Sequence, residues 1–251
     1  MRNTLVLIAI SALWTGASAG NVQIQVLDRE GKPVPDAVVV LYPGNAAGAP
    51  PSLLQASPTI EQEKMRFVPA VTVVSAGTTV RFTNQDRWDH HVRGNPAGVA
   101  PVAAPGAAAS ANFELRLAGK TDGKPANFAD VKLDAPGVVL LGCHLHGSMR
   151  GHVFVTDSAW SLKTDNDGIA RFPSVPDGAA QVRVWHAEQL VDLPRKALNV
   201  VPGPVLDTVQ LSVVPRVRRA PPATPGNTPG GPMGAYSQAP TQGTHAHHPG
   251  S

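Results

Sequence analysis

Gly142-Cys143-His144-Leu145-His146-Gly147-Ser148-Met149 is the stretch whose reading decides the rest of the chain. It contains the only cysteine among 251 residues. An imidazole follows that cysteine after two intervening residues and a thioether after two more, in the order Cys143-x-x-His146-x-x-Met149. A His90-His91 pair lies upstream, a few residues after the alternating run Thr79-Val80-Arg81-Phe82-Thr83-Asn84. So short a spacing lets a tight loop between two strands turn Cys143, His146 and Met149 toward one point. His90, from another part of the sheet, then closes the site from the side.

One thiolate, two imidazoles and one thioether form the donor set of a mononuclear blue copper centre. Thiolate and thioether are soft donors and imidazole is borderline, so together they favour copper in its Cu(I)/Cu(II) cycle over hard cations. The metal keeps the thiolate deprotonated. Two blander readings compete. A lone Cys is often a buried small hydrophobe. Zinc also takes Cys and His, but its structural sites close with four such ligands and do not use Met.

Working outward, the neighbouring segments read as short strands. Val138 to Leu141 leads into Cys143, and Gly151-His152-Val153-Phe154-Val155 leaves the loop. Before them come Arg66-Phe67-Val68-Pro69, Val71-Thr72-Val73-Val74, Phe113 to Leu117 and Val131 to Leu133. Pro69 between two of these suits an edge or a bulge. Toward the N-terminus, Val22, Ile24 and Val26 alternate with polar residues, and Val34 to Leu41 reads as a second strand. Toward the C-terminus, Ala170-Arg171-Phe172, Val182-Arg183-Val184-Trp185 and Thr208 to Val213 read as strands, with the turn Asp165-Asn166-Asp167-Gly168 before them. Residues 43–57 and 94–111 are rich in Pro, Gly and Ala and read as loops, and residues 119–127 as turn-like. No segment holds a 3.6-residue period. Many short strands with regular turn signals predict an all-β sandwich, in keeping with 25 Pro and 24 Gly.

The N-terminus reads as a secretory signal peptide over residues 1–19: Arg2, a short apolar stretch from Leu5 to Trp14, and Ala17-Ser18-Ala19 as a cleavage site. The stretch is shorter than the ~20 apolar residues of a membrane span, so no integral membrane segment is expected after cleavage before Gly20. Export sharpens the cysteine argument, because one Cys cannot form an internal disulfide and a free thiol is a liability in an oxidising compartment. The net charge of +3 owes much to Arg2 and to Arg216, Arg218 and Arg219 of the tail. The body between is slightly acidic, and nothing in it argues for nucleic acid. From Pro215 the chain is Pro/Gly-rich and aperiodic, as in a disordered tail, and it ends with His245, His247 and His248.

The runs Phe67-Val68-Pro69, Gly77-Thr78-Thr79-Val80-Arg81-Phe82-Thr83-Asn84, His90-His91-Val92 and Gly142-Cys143-x-x-His146-x-x-Met149 together resemble the cupredoxin family, and the short ligand loop is most similar to its amicyanin/plastocyanin-like members. The resemblance covers about residues 60–156. It implies a Greek-key β-sandwich binding one copper ion per chain through His90, Cys143, His146 and Met149. His91 stands where the family has Asn, and it is the alternative to His90, since neighbours in a strand face opposite ways. Val92, Leu145 and Val153 are the apolar neighbours expected to keep water from the metal.

The flanks carry a second resemblance. Val26 to Ala37, and Thr164-Asp165-Asn166-Asp167-Gly168 with the strands after it, are similar to the two halves of a carboxypeptidase-regulatory-like β-sandwich. The expected organisation is residues 20–57 as the first part of that sandwich, 58–157 as the cupredoxin block, 158–213 as the second part and 214–251 as the tail. The copper block is thus inserted into, or flanked by, the second sandwich.

The function these readings imply is single-electron transfer between redox protein partners by an exported, periplasmic, monomeric, non-enzymatic protein. Two other classes stay open at this point. One is copper binding or delivery aided by the tail histidines. The other is a structural cell-envelope module, for which the sequence offers little aromatic platform beyond Trp88, Trp160 and Trp185, each of a kind more often used in packing.

Overall fold

A computed structural model describes residues 19–45, 54–97 and 112–216. The expected signal peptide apart from Ala19, the middle of the 43–57 loop, most of the 94–111 loop and the tail beyond Arg216, with His245, His247 and His248, lie outside the described residues.

The described residues are all-β. In chain order the strands are β1 (Ala19–Leu27), β2 (Val38–Pro43), β3 (Thr59–Glu63), β4 (Arg66–Val68), β5 (Val71–Ser75), β6 (Thr78–Asn84), β7 (His90–Ala97) and β8 (Phe113–Leu117). They continue with β9 (Asn127–Leu133), β10 (Gly137–Cys143), β11 (Arg150–Thr156), β12 (Ser161–Lys163), β13 (Ile169–Pro176), β14 (Gly178–Trp185), β15 (Lys196–Val200) and β16 (Gly203–Gln210). Among the described residues no helix is long and apolar enough to cross a membrane.

The middle of the chain forms two sheets, ordered β5-β11-β10-β7-β8 and β4-β3-β6-β9. Their inward residues build one core that includes Ile60, Phe67, Val80, Phe82, Leu133, Leu141 and Val153. Pro69, preceded by a cis peptide bond, makes the turn between β4 and β5.

The two ends of the chain form two more sheets, β13-β1-β16 and β12-β2-β14-β15. Strand β1 is central: it pairs antiparallel with β13, Val22 opposite Phe172, and parallel with β16 along Gly20–Leu27. Val22, Ile24, Leu41, Phe172 and Val182 share a second core. Removing each such side chain from water is worth about 1.5–3 kcal/mol, so neither end can close this core without the other.

A third apolar cluster joins the two halves. Strand β2 is buried on both faces. Val39 and Leu41 enter the core of the terminal sheets, whereas Val38 and Val40, facing the other way, meet Val71, Val73, Phe154 and Trp185.

Several boundaries differ from those read in the sequence. Strand β2 starts at Val38 and not at Val34. Asp36 adopts a left-handed φ of 58°, and the Thr164 hydroxyl accepts from the Ala37 amide (3.0 Å) while donating to the Val34 carbonyl (2.7 Å). These bonds hold the segment as a turn. Strand β7 runs to Ala97, beyond the expected loop start at residue 94. The last strand is Gly203–Gln210 and not 208–213, because its parallel register with β1 ends at Leu27↔Gln210. Strands β3, β12 and β15 gave no sequence signal: β3 has one apolar residue in five and β12 is three residues long.

Candidate metal centre

The site forms where β10 ends and β7 begins. These strands are antiparallel, with Cys143 directly opposite Val92. Residues directly opposite on such a pair point to the same face, and His90 shares that face with Val92 two residues away. Register alone therefore aims His90 at Cys143 and turns His91 to the other side.

The atoms follow that rule. His90 Nδ1 lies 3.6 Å from Cys143 Sγ. His146 Nδ1, from the loop after β10, lies 3.5 Å from the same sulfur. The two imidazoles meet edge to face with centroids 4.9 Å apart. One ligand atom from each of His90, Cys143 and His146 falls within 4.8 Å of the others, and among the described residues this is the only such cluster. A metal with bonds of about 2.0–2.3 Å to N and S in tetrahedral or trigonal geometry separates those donors by about 3.5–3.7 Å. The donor set and its spacing thus fit one metal ion bound through nitrogen and sulfur.

Burial is graded across the three. His90 and Cys143 are buried, and His146 is half-buried, so one edge of the site reaches solvent. Met149 is buried in the same core as Cys143. The loop between them is a turn closed by the Met149 amide donating to the His146 carbonyl at 3.0 Å. Val92 and Val153 are fully buried in that core, but Leu145, expected to cover the metal, is 56% exposed. It lines a depression together with Asp89, His90, His91, Arg116 and His144.

His91 is placed on the far side. Its Nε2 is 3.1 Å from Glu114 Oε2, and its ring meets that of His144 edge to face. The tie between the ligand loops runs through backbone: the His144 amide donates to the His91 carbonyl at 2.9 Å. A bond of that kind does not depend on which side chain residue 91 carries. His152, half-buried on β11, packs against Trp185 with centroids 5.4 Å apart.

Asp86 did not stand out in the sequence, where it reads as one of several turn residues between Asn84 and His90. It is buried, and its Oδ2 lies 2.9 Å from His90 Nε2. The amides of Lys64 and Met65 donate to the same carboxylate at 2.6 and 2.9 Å. Burial pushes the Asp86 carboxyl up. The Met65 amide, the His90 imidazole and the Lys64 amide outweigh it and hold the group below the usual carboxylate range. Asn84 braces this loop: its side chain donates to the Trp88 and Leu117 carbonyls and accepts from the Asp86 amide.

No family model matches the sequence, and no curated protein matches it. Among solved structures the chain is similar to oxidised plastocyanin from Dryopteris crassirhizoma, at 24% identity over 39% of this chain and 99% of that one, with a TM-score of 0.31. It is similar to amicyanin from Paracoccus versutus, at 21% identity over 46% of this chain and 97% of that one, with a TM-score of 0.28. A variant of amicyanin in its Cu(I) form matches at 20% identity over 47% and 98%, with a TM-score of 0.29. These neighbours are cupredoxins, and each spans less than half of this chain.

Proposed function

We propose that this protein is an exported single-electron carrier built on one copper ion, which His90, Cys143 and His146 would hold with Met149 as a further soft donor. The observation that carries the reading is one buried thiol with two imidazole nitrogens at 3.6 and 3.5 Å. Copper, when bound, would supply a one-electron Cu(II)/Cu(I) couple, and the Met149 thioether would help tune its potential. The chain's own residues do the rest. The β10–β7 register holds His90 and Cys143 on rigid strands, which keeps the donors in place between the two oxidation states. Val92 and Val153 exclude water on the inner side. His146, half-exposed beside Leu145, is the edge presented to a redox protein partner.

The four donors are protein side chains with no position assigned to a substrate, so we read the molecule as a carrier and not an enzyme. The signal-like N-terminus supports export to the periplasm. The pairing of β1 with β13 and β16 supports reading residues 20–57 and 158–213 as one carboxypeptidase-regulatory-like sandwich, with the copper block inserted between its halves.

The test is the visible absorption and EPR spectrum of the Cu(II)-loaded protein beside Cys143→Ser. The expected result is an intense thiolate-to-copper band with narrow copper hyperfine splitting, both lost in the variant. A weak band with ordinary splitting, unchanged in the variant, would remove the ligand assignment.

A further inference from the structure

His90 has two ring nitrogens with different partners. Nδ1 faces the Cys143 sulfur at 3.6 Å, and Nε2 faces Asp86 Oδ2 at 2.9 Å. When Nδ1 binds a metal, the ring's proton resides on Nε2 and is donated to the carboxylate. Both side chains are almost wholly buried, at 0% and 6% exposure, so water does not compete for that bond.

The carboxylate is itself held by a built device. Lys64 and Met65 form the two-residue turn between β3 and β4, and both have left-handed φ, 51° and 57°. That conformation disfavours side chains other than glycine, yet here it directs two successive N–H groups at Asp86 (2.6 and 2.9 Å). Successive amides converging in this way make an anion-binding concavity. Among the described residues no Lys or Arg side chain bonds this carboxylate, so its charge is directed at the imidazole. The other histidine–carboxylate pair offers a contrast. Glu114, beside His91, is shared with Arg93 at 2.9 Å and is 55% exposed, so its charge is largely offset.

We propose that Asp86, gripped by the Lys64–Met65 turn, is a positioning residue that sets the potential of the centre. It locks His90 in the Nε2–H tautomer and places a negative charge one imidazole away from the metal, which favours Cu(II) over Cu(I). In the redox step one electron from a donor protein, or from an electrode, reduces Cu(II) to Cu(I). The Nε2 proton stays where it is. This inference rests on the copper reading above.

The experiment is spectroelectrochemical titration of the copper-loaded full chain and of Asp86→Asn, which keeps the side chain's size and removes its charge. The variant is expected to keep the thiolate-to-copper band. Its preference for Cu(II) over Cu(I) should fall about tenfold, a rise of about 59 mV in midpoint potential for one electron. A blue variant whose potential matches the wild type overturns the proposal and leaves the copper reading intact. A wild type without the band overturns both. Should Asp86→Asn not fold, long-range 1H–15N NMR of the wild-type Cu(I) protein decides. A slowly exchanging proton on His90 Nε2 supports the assignment, and a proton on Nδ1, or a rapidly exchanging one on Nε2, sinks it.

Discussion

Trp185 on β14 rests against Phe154 on β11, with ring centroids 5.6 Å apart and planes at 50°. One ring belongs to the sheets made by the chain ends and the other to the strand that leaves the ligand loop. The contact therefore ties the half that carries His90, Cys143 and His146 to the terminal half through packed side chains, with Val38, Val40, Val71 and Val73 around it. Trp185→Ala should destabilise the protein by about 3–5 kcal/mol, the usual cost of deleting a buried aromatic. Urea unfolding followed by tryptophan fluorescence and by the copper band checks this. A loss below about 1 kcal/mol would mean that the halves do not depend on this contact.

The register of Cys143 against Val92 separates the two adjacent histidines. His90→Gly is expected to abolish the thiolate-to-copper band, and His91→Asn to leave its position and intensity unchanged. Absorption of the two copper-loaded variants tests the pair. The reverse pattern would show that the strands are shifted by one residue in solution.

The terminal sheets predict a specific response to proteolysis. Cleavage within residues 43–57 should leave the fragment carrying β1 and β2 bound to the remainder under native conditions, because β1 lies between β13 and β16. Size-exclusion chromatography of the nicked protein shows the outcome. A freely separating peptide would exclude the discontinuous sandwich.

Gly168 closes the turn before β13 with φ of 71°, and a Cβ there would come within 2.7 Å of the Val26 carbonyl and 2.8 Å of the Val34 amide. Both obstacles are backbone and cannot swing aside. Gly168→Ala should cost about 1–3 kcal/mol, read as a lower urea midpoint with an unchanged slope.

Asp165 caps the same turn, accepting from the Ile169 amide at 2.9 Å and the Asp167 amide at 3.0 Å and pairing with Arg171. The Ile169 amide first, and the Arg171 guanidinium next, hold its carboxyl below the usual range. A depressed carboxyl stabilises the fold at pH above its unfolded value of about 3.9, and that contribution disappears as pH falls through the lower folded value. Carboxyl-carbon NMR of Asp165 should give a midpoint below the ordinary one. A midpoint at or above it would refute the turn geometry.

The sequence showed much of this molecule because two of its signals are local. Cys143, His146 and Met149 lie within seven residues, and the alternation of Val22, Ile24 and Val26 marks a face without any knowledge of partners. What stayed hidden depends on pairing between distant segments. Asp86 looks like any turn aspartate until the Lys64 and Met65 amides are brought to it. The choice of His90 over His91 needs the partner strand's register, which parity within β7 alone does not supply. Leu145 reads as a covering residue by composition, yet the turn from His146 to Met149 leaves it outward. Strand β3, with Ile60 its only apolar side chain, is a strand because β4 and β6 pair with it.

The central place of β1 bears on how the protein is made and on how it can be rebuilt. A chain synthesised from its N-terminus presents β1 first, but both neighbours of that strand come after residue 168. The strands from β2 to β12 are therefore made before either neighbour, and the edges of β1 stay open to mispairing in the meantime. The same arrangement brings the entry and exit of the middle segment together, since Ser161 on β12 lies directly opposite Val40 on β2. A short linker could bridge those strands in place of the segment between them, and the cost would be the baring of Val38, Val40 and Trp185, which lose Val71, Val73 and Phe154 as partners.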